Sequence, residues 1–256
     1  MKRGILRKIK LNVVAGYFNF ILTSIFVFFI NPFLVKFLGS STFGVWKNIQ
    51  KLLSFASIAD GRSTQALKWI IANDEYKNDF KIKKQAVGSA IKIWVYFLPL
   101  VLLFLFLLIY NLPFLINGLD KQNFHIIYQV GFILGANILI SPLLKIPDAI
   151  LVGTNRGYKS TFIQIFGMIL SNLLMVIVSY LGYGLIGLSF VVLFITLFNA
   201  FFVYLICKSN IKWLGIEKPS SDQISDFFKF SFWVLIWSFV MKLILSTEIL
   251  LIGFLI

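Results

Sequence analysis

Long apolar blocks separated by short polar segments dominate this sequence. Residues 91–112 and 185–207 are two examples. Each is about as long as the ~20 residues that an α-helix needs to cross the hydrocarbon core of a bilayer. The chain is 59% hydrophobic and 13% charged, far from the balance of soluble domains, so these blocks cannot all be hidden inside a water-soluble fold. The pattern predicts an all-α, polytopic bundle of transmembrane helices.

The apolar periods and the turn residues between them predict about seven helices. The first six, within residues 1–210, are expected to form an N-terminal lobe. Residues 211–226 are then a cytoplasmic loop between lobes, and residues 227–256 the first helix of a second lobe. Because the chain ends inside or at the end of helix seven, we expect it to be a fragment of a longer protein. The predicted spans are 11–38, 44–72, 86–112, 124–152, 160–182, 184–207 and 227–256.

The connecting segments set the expected orientation. Segments on the side of the N-terminus carry fourteen cations, whereas those on the other side carry Lys121 alone. Positive charge accumulates on the cytoplasmic side of membrane proteins. The apolar run that follows Lys10 is too long for a cleaved signal peptide. We therefore predict a multi-pass protein of the bacterial plasma (inner) membrane with a cytoplasmic N-terminus.

Helix two, predicted over residues 44–72, carries most of the polar groups that could bind a ligand. At 100° per residue they fall within a sector of about 140°, opposite an apolar face. A cation near mid-membrane costs roughly 2.5–3.5 kcal/mol against lipid, so this face needs water or an anionic ligand. An interfacial amphipathic helix would have a similar pattern and stays open as an alternative. The stripe consists of Lys47, Gln50, Lys51, Ser54, Ser57, Gly61, Arg62, Gln65 and Lys68.

Other ionisable residues lie within the predicted spans. Lys242 falls near the middle of helix seven, and Glu248 lies closer to its outer end. Lys145 and Asp148 are three residues apart on helix four, on one stripe with Asn137 and Ser141. They are either a local ion pair that fixes packing or a pair that couples transport to an ion. Lys242 is either a buried structural lysine or part of the same cationic cavity as helix two.

The expected cavity holds more cations than acids, which argues against a cation pathway and favours an anionic substrate, with phosphate the best match for Arg and Lys. Metal-ligand spacings, phosphate loops and nucleophile motifs are absent from the sequence, so neither an enzyme nor a cofactor is expected. The net charge of +14 lies mostly at helix ends, so membrane lipids rather than nucleic acid are the expected partners of that charge.

Several short motifs resemble those of Wzx-type polysaccharide (O-antigen) flippases, members of the multidrug/oligosaccharidyl-lipid/polysaccharide (MOP) superfamily. The first is Leu38-Gly39 followed by Thr42-Phe43-Gly44-Val45-Trp46, at the predicted turn into helix two. The others are Asp60-Gly61, Pro147-x-x-Ile150-Leu151-x-Gly153-x-x-Arg156, Gly182-x-Gly184-x-x-Gly187 and Ser246-Thr247-Glu248-Ile249-Leu250.

The resemblance implies two six-helix lobes around a central cationic cavity. It also implies that the protein moves an undecaprenyl-pyrophosphate-linked oligosaccharide from the cytoplasmic to the periplasmic leaflet. Polysaccharide polymerase and chain-length proteins would be partners. The residues that the polar stripe of helix two and the lysine of helix seven contribute to the expected cationic, substrate-binding cavity are Lys47, Gln50, Lys51, Arg62, Gln65 and Lys242. Two alternatives remain, a cation-coupled multidrug or ion antiporter of the same superfamily and a non-transporting membrane scaffold.

Overall fold

The structure is a computed structural model that describes residues 2–57, 61–74, 79–116 and 124–255, with side chains described between residues 6 and 241 of these ranges and at Ile244. Over this part of the chain every regular element is helical, which confirms the all-α prediction. The helices are α1 (Lys2–Leu38), α2 (Ser40–Ala56), α3 (Ser63–Asn73), α4 (Phe80–Leu115), α5 (Phe124–Leu144), α6 (Ile146–Gly153), α7 (Gly157–Tyr180), α8 (Gly184–Asn210) and α9 (Ser221–Leu255).

Within the described ranges, six helical segments are long and apolar enough to cross a membrane, with α5 and α6 counted as one. The prediction of a continuous second span over residues 44–72 is wrong. α2 has 17 residues and α3 has 11. At 1.5 Å per residue they are about 25 Å and 16 Å long, so neither fills a bilayer by itself.

The two short helices nevertheless follow one another along the whole bundle. Val45, Trp46 and Ile49 of α2 pack in an apolar cluster that also contains the C-terminal part of α4. Leu67 and Ile71 of α3 pack in a second cluster with the N-terminal part of α4. The α2–α3 pair therefore runs antiparallel to α4 and extends along it as one interrupted span.

The break between α2 and α3 has a backbone cause. Gly61 has φ +68° and Arg62 has φ +48°, so two successive residues adopt the left-handed conformation, which ends any right-handed helix. Gly61 also lies against α4, where a Cβ on this residue would be 2.5 Å from Cδ2 of Phe97. Glycine is required here for both reasons, and the close approach of Phe97 holds the break against α4.

One end of the bundle, which we call the basic end, gathers most of the lysine-rich segments. There the backbone N–H of Tyr158, at the start of α7, donates to Asn12 Oδ1 of α1 over 2.6 Å. Arg156 donates to the carbonyl oxygen of Asn210, at the end of α8. At the opposite end, the rings of Phe37 and Tyr180 meet at 5.4 Å. These contacts agree with the expectation that the basic segments lie at one end of the bundle. The segments are residues 2–10, 81–84, 156–159 and 208–218.

The last helix begins earlier than predicted. α9 begins at Ser221, six residues before the expected boundary at 227, because Ser220 and Gln223 form a reciprocal cap. The backbone N–H of Ser220 donates to Gln223 Oε1 over 2.9 Å, and the N–H of Gln223 donates to Ser220 Oγ over 3.3 Å. The preceding segment is not a loose loop, since the Glu217 carboxylate lies 3.6 Å from Lys84 Nζ of α4.

The orientation prediction can be tested at two exposed positions at opposite ends. Tyr183, in the α7–α8 turn, and Ser209, at the end of α8, would each be replaced by cysteine in a Cys207→Ala background. We expect Tyr183→Cys to react with a membrane-impermeant thiol reagent in intact cells and Ser209→Cys to react only after permeabilisation. The reverse pattern would place the basic end outside the cell and refute the orientation.

The second prediction concerns the break. Gly61→Ala adds a Cβ at a positive φ and into the Phe97 ring, so it should destabilise the chain by about 1–3 kcal/mol. Gly44→Ala is the matched control, because no atom lies within 4 Å of its added Cβ and alanine favours the α2 helix. Thermal melting of the two purified variants measures the difference. Equal melting temperatures would show that the break does not depend on glycine.

Candidate functional site

A polar cavity of about 450 Å³ lies beside the α2–α3 break. Side chains from α2, α3, α5, α6, α7 and α8 meet in it. A second cavity of about 320 Å³ shares Asn137, Ser141, Lys145, Asp148 and Gln164 with the first and extends along α8 to Thr196 and Asn199. We call the two together the central cavity. Its remaining polar lining is Gln50, Ser54, Ser57, Arg62, Thr64, Gln65 and Lys68.

Arg62 occupies the turn between α2 and α3 and lines the central cavity, with its Nε buried. Its carbonyl oxygen accepts the first bonds of α3, from the backbone N–H groups of Gln65 (3.0 Å) and Ala66 (3.1 Å). Thr64 and Gln65, in the first turn of α3, also line the cavity. The partial positive charge of a helix N-terminus therefore adds to the guanidinium at this point.

Asp148, in the first turn of α6, is the carboxylate that lines the central cavity. Its Oδ2 lies 3.5 Å from Lys68 Nζ of α3, and its Oδ1 accepts a hydrogen bond of 3.2 Å from Gln164 of α7. The predicted local pair with Lys145 is thus replaced by an interhelical pair. The cause is close packing of α3 on α6, where a Cβ on Gly153 would be 2.9 Å from the Lys68 carbonyl oxygen.

The charges that line the cavity are unequal. Arg62, Lys68 and Lys145 are cationic, and Asp148 is the acid among the lining residues. The Lys68–Asp148 pair neutralises itself, so the remaining charged lining residues are both positive. Among the described lining residues, the cations therefore outnumber the acid by three to one.

Two buried amide oxygens add to the cavity's demand for hydrogen bonds. Within the described structure, Asn137 Oδ1 and Asn199 Oδ1 are buried without a hydrogen-bond partner. Both residues line the extension of the cavity along α8. Buried acceptors of this kind are rarely left unsatisfied. They are available to water or to the hydroxyl groups of a bound molecule.

The structure brings together only part of the predicted site. Gln50, Arg62, Gln65, Lys145 and Asp148 line the central cavity. Lys47 and Lys51 do not belong to its lining. Lys242 and Glu248 were also predicted as site residues, and their side chains lie outside the part of the chain that the structure describes.

Helix geometry explains why the two lysines of α2 fall away from the site. Lys51 follows Gln50 by one residue and is therefore rotated by about 100° from the lining face, although its Nζ is buried. Lys47 lies one turn before the first lining residue of α2. Its side chain is exposed, with Nζ 5.2 Å from the centre of the Phe43 ring.

Sequence reasoning placed Lys68, Asn137 and Ser141 on polar stripes but did not include them in the site. Gln164 and Asn199 were missed altogether. The available signal was the presence of amide side chains inside mostly apolar spans, which is unfavourable in lipid and therefore indicates a face turned toward other helices.

No protein-family model and no curated protein sequence matches this chain. Solved structures do share its fold. One, described as the outward-facing conformation of a multidrug resistance MATE family transporter of the MOP superfamily, has a TM-score of 0.65 at 16% identity, over 95% of this chain and 54% of that chain. Another, MATE in complex with MaD3S, has a TM-score of 0.63 at 16% identity, over 97% of this chain and 55% of that chain. The chain spans about half the length of these proteins and has the fold of the part that it covers.

Proposed function

We propose that this chain forms one lobe of a membrane transporter that moves a lipid-linked oligosaccharide across the inner membrane. The substrate class is an undecaprenyl-pyrophosphate carrying a sugar unit, taken up from the cytoplasmic leaflet. In this proposal the pyrophosphate binds in the central cavity beside Arg62 and Lys145, and the sugar lies against the amide and hydroxyl groups.

The observation that carries the proposal is the excess of positive charge in the central cavity. A pyrophosphate is a compact, multiply charged anion, and a guanidinium can bind its oxygen atoms in a bidentate manner. The helix N-terminus of α3, which borders the cavity next to Arg62, is a further feature that favours phosphate. The apolar surroundings strengthen these attractions because the effective dielectric constant is lower than in bulk water.

The neutral part of the lining supports the sugar half of the substrate. Gln50, Gln65, Asn137 and Gln164 each present an amide, which both donates and accepts hydrogen bonds. A sugar hydroxyl also donates and accepts, so amides match it better than cations alone would. Ser54, Ser57 and Ser141 add hydroxyl groups along the same surface.

A multidrug antiporter is the second candidate function, because the two similar structures are MATE transporters. A cationic drug or a coupling cation would be expected to bind an acidic group in the cavity. Among the described lining residues that group is Asp148, and it already contacts Lys68 and Gln164. The charge of the central cavity therefore favours the anionic substrate.

The test introduces substitutions of Arg62 into the chromosomal gene of the cell that makes this protein. Surface polysaccharide and the amount of the protein in the membrane are measured together. Arg62→Lys should keep much of the export, because the charge remains. Arg62→Gln should reduce export at least about tenfold, equivalent to about 1.4 kcal/mol, and Arg62→Glu should abolish it. Abundance should stay near normal in all three variants, since this side chain lines the cavity and does not belong to the two apolar clusters.

Lys68→Gln provides the matched control for a structural role. It removes the partner of a partly buried carboxylate, so abundance and export should fall together. If Arg62→Gln shows that same parallel loss, Arg62 acts in packing and not in substrate binding. Normal export by Arg62→Glu would refute the anionic substrate.

A further inference from the structure

A separate groove of about 650 Å³ lies at the basic end, and it shares no lining residue with the central cavity. It runs between the start of α4, the α5–α6 junction and the end of α8. The segment 211–216 closes one side. The α5–α6 junction separates the two spaces, since Ile146 and Pro147 face the groove while Lys145 and Asp148 face the central cavity.

Most of the groove is apolar, and its polar side chains are one tyrosine and two lysines. Val87, Ile91, Leu143 and Ile150 form part of its apolar lining. The polar exceptions at its side are the Tyr204 hydroxyl and the ammonium groups of Lys208 and Lys212, and all three residues are exposed. Among the described residues that line the groove, none carries a carboxylate.

The two lysines of the groove are not used by the ion pairs that the structure describes. Those pairs are Lys68–Asp148, Lys84–Glu217 and Lys229–Asp226. Lys208 and Lys212 take part in none of them. The two cations beside the apolar groove are therefore not neutralised by a described ion pair, and they suit an anionic group that carries an apolar chain.

The wall formed by 211–216 is held in place and does not need a ligand to shape it. The backbone N–H of Ile211 donates to the Cys207 carbonyl oxygen over 2.9 Å. After this segment, the N–H of Glu217 donates to the Lys84 carbonyl oxygen over 3.3 Å, and its carboxylate pairs with the ammonium group of the same lysine. The groove is thus preformed between α4 and α8.

We propose that this groove binds one anionic glycerophospholipid of the surrounding bilayer. One acyl chain lies along the apolar wall, and the phosphate accepts hydrogen bonds from Lys208, Lys212 and the Tyr204 hydroxyl. The position fits a lipid headgroup, because α8 is a membrane-spanning helix and the two lysines lie at and just beyond its end. Lysine and tyrosine are the side chains that reach from an apolar stem to the polar interface.

The site is independent of the proposed transport function, since it uses none of the residues of the central cavity. A soluble phosphate would use the two lysines but leave the apolar lining exposed. A lipid satisfies both parts of the groove.

The experiment is a titration of the full, detergent-purified chain with dioleoyl-phosphatidylglycerol, followed by native mass spectrometry. We expect a first lipid to bind at least about tenfold more tightly than dioleoyl-phosphatidylcholine, and glycerol 3-phosphate not to bind measurably. The Lys208→Gln/Lys212→Gln variant should lose about thirtyfold in affinity for the first phosphatidylglycerol, from about fivefold for each cation. Ile216→Glu places an anion in the groove at a side chain that is 67% exposed, and it should weaken the same lipid without unfolding the chain.

The matched control is Lys81→Gln/Lys218→Gln, which removes two exposed cations from the same end but outside the groove. It should bind the first lipid as the unchanged chain does. An equal loss in the control would show general charge attraction and overturn the site. Equal affinity for the two phospholipids, or tight binding of glycerol 3-phosphate, would overturn it as well.

Discussion

The contact between Gly61 and the Phe97 ring is the feature on which the rest of the site depends. It holds the left-handed turn of Gly61 and Arg62 against α4 and divides what would be one long helix into α2 and α3. A continuous helix would keep its backbone groups satisfied within itself. The broken one places an arginine and a helix N-terminus within the depth of the bundle, which is tolerated in a membrane protein only beside protein or a water-filled space.

The second consequence of the break is the way in which charge is distributed. α3 packs on α6 closely enough for Lys68 to reach Asp148, and this pair removes the acid from the charge balance of the cavity. The other charged residues of the described lining are Arg62 and Lys145, and they lie beside amides and serine hydroxyls. The same rigid packing separates this site from the apolar groove at the basic end, because the α5–α6 junction forms a wall of both. The bundle thus has a polar cavity lined by cations on one side of this junction and an apolar groove bordered by two lysines on the other.

Apart from the second span, the apolar blocks were sufficient to predict the long helices, since a span of lipid-facing residues has little alternative structure available. Gly39 lies at the predicted turn into helix two, and its positive φ agrees with a tight turn there. The break at Gly61 was not predicted, because Asp60-Gly61 lies inside a regular amphipathic stripe and the need for glycine comes from Phe97, 36 residues away. For the same reason Asp148 was assigned to its nearest lysine in sequence, whereas interhelical packing gives it Lys68. Ser220 and Gln223 did contain a local signal, the spacing of a capping box, for the start of α9.

The central claim is that a hydrated and positively charged cavity exists inside the membrane-spanning bundle. It is tested most directly at Ser54 and Ser141, two lining residues, each replaced by cysteine in a Cys207→Ala background. The measurement is the reaction rate with two methanethiosulfonate reagents of similar size, one bearing a sulfonate and the other a trimethylammonium group, each normalised to its rate at Tyr183→Cys, an exposed position in a turn without charged neighbours. A positive cavity concentrates anions, so the sulfonate reagent should react faster than the trimethylammonium reagent at both positions, and added salt should reduce the ratio. Faster reaction with the trimethylammonium reagent, or no reaction with either, would contradict the account.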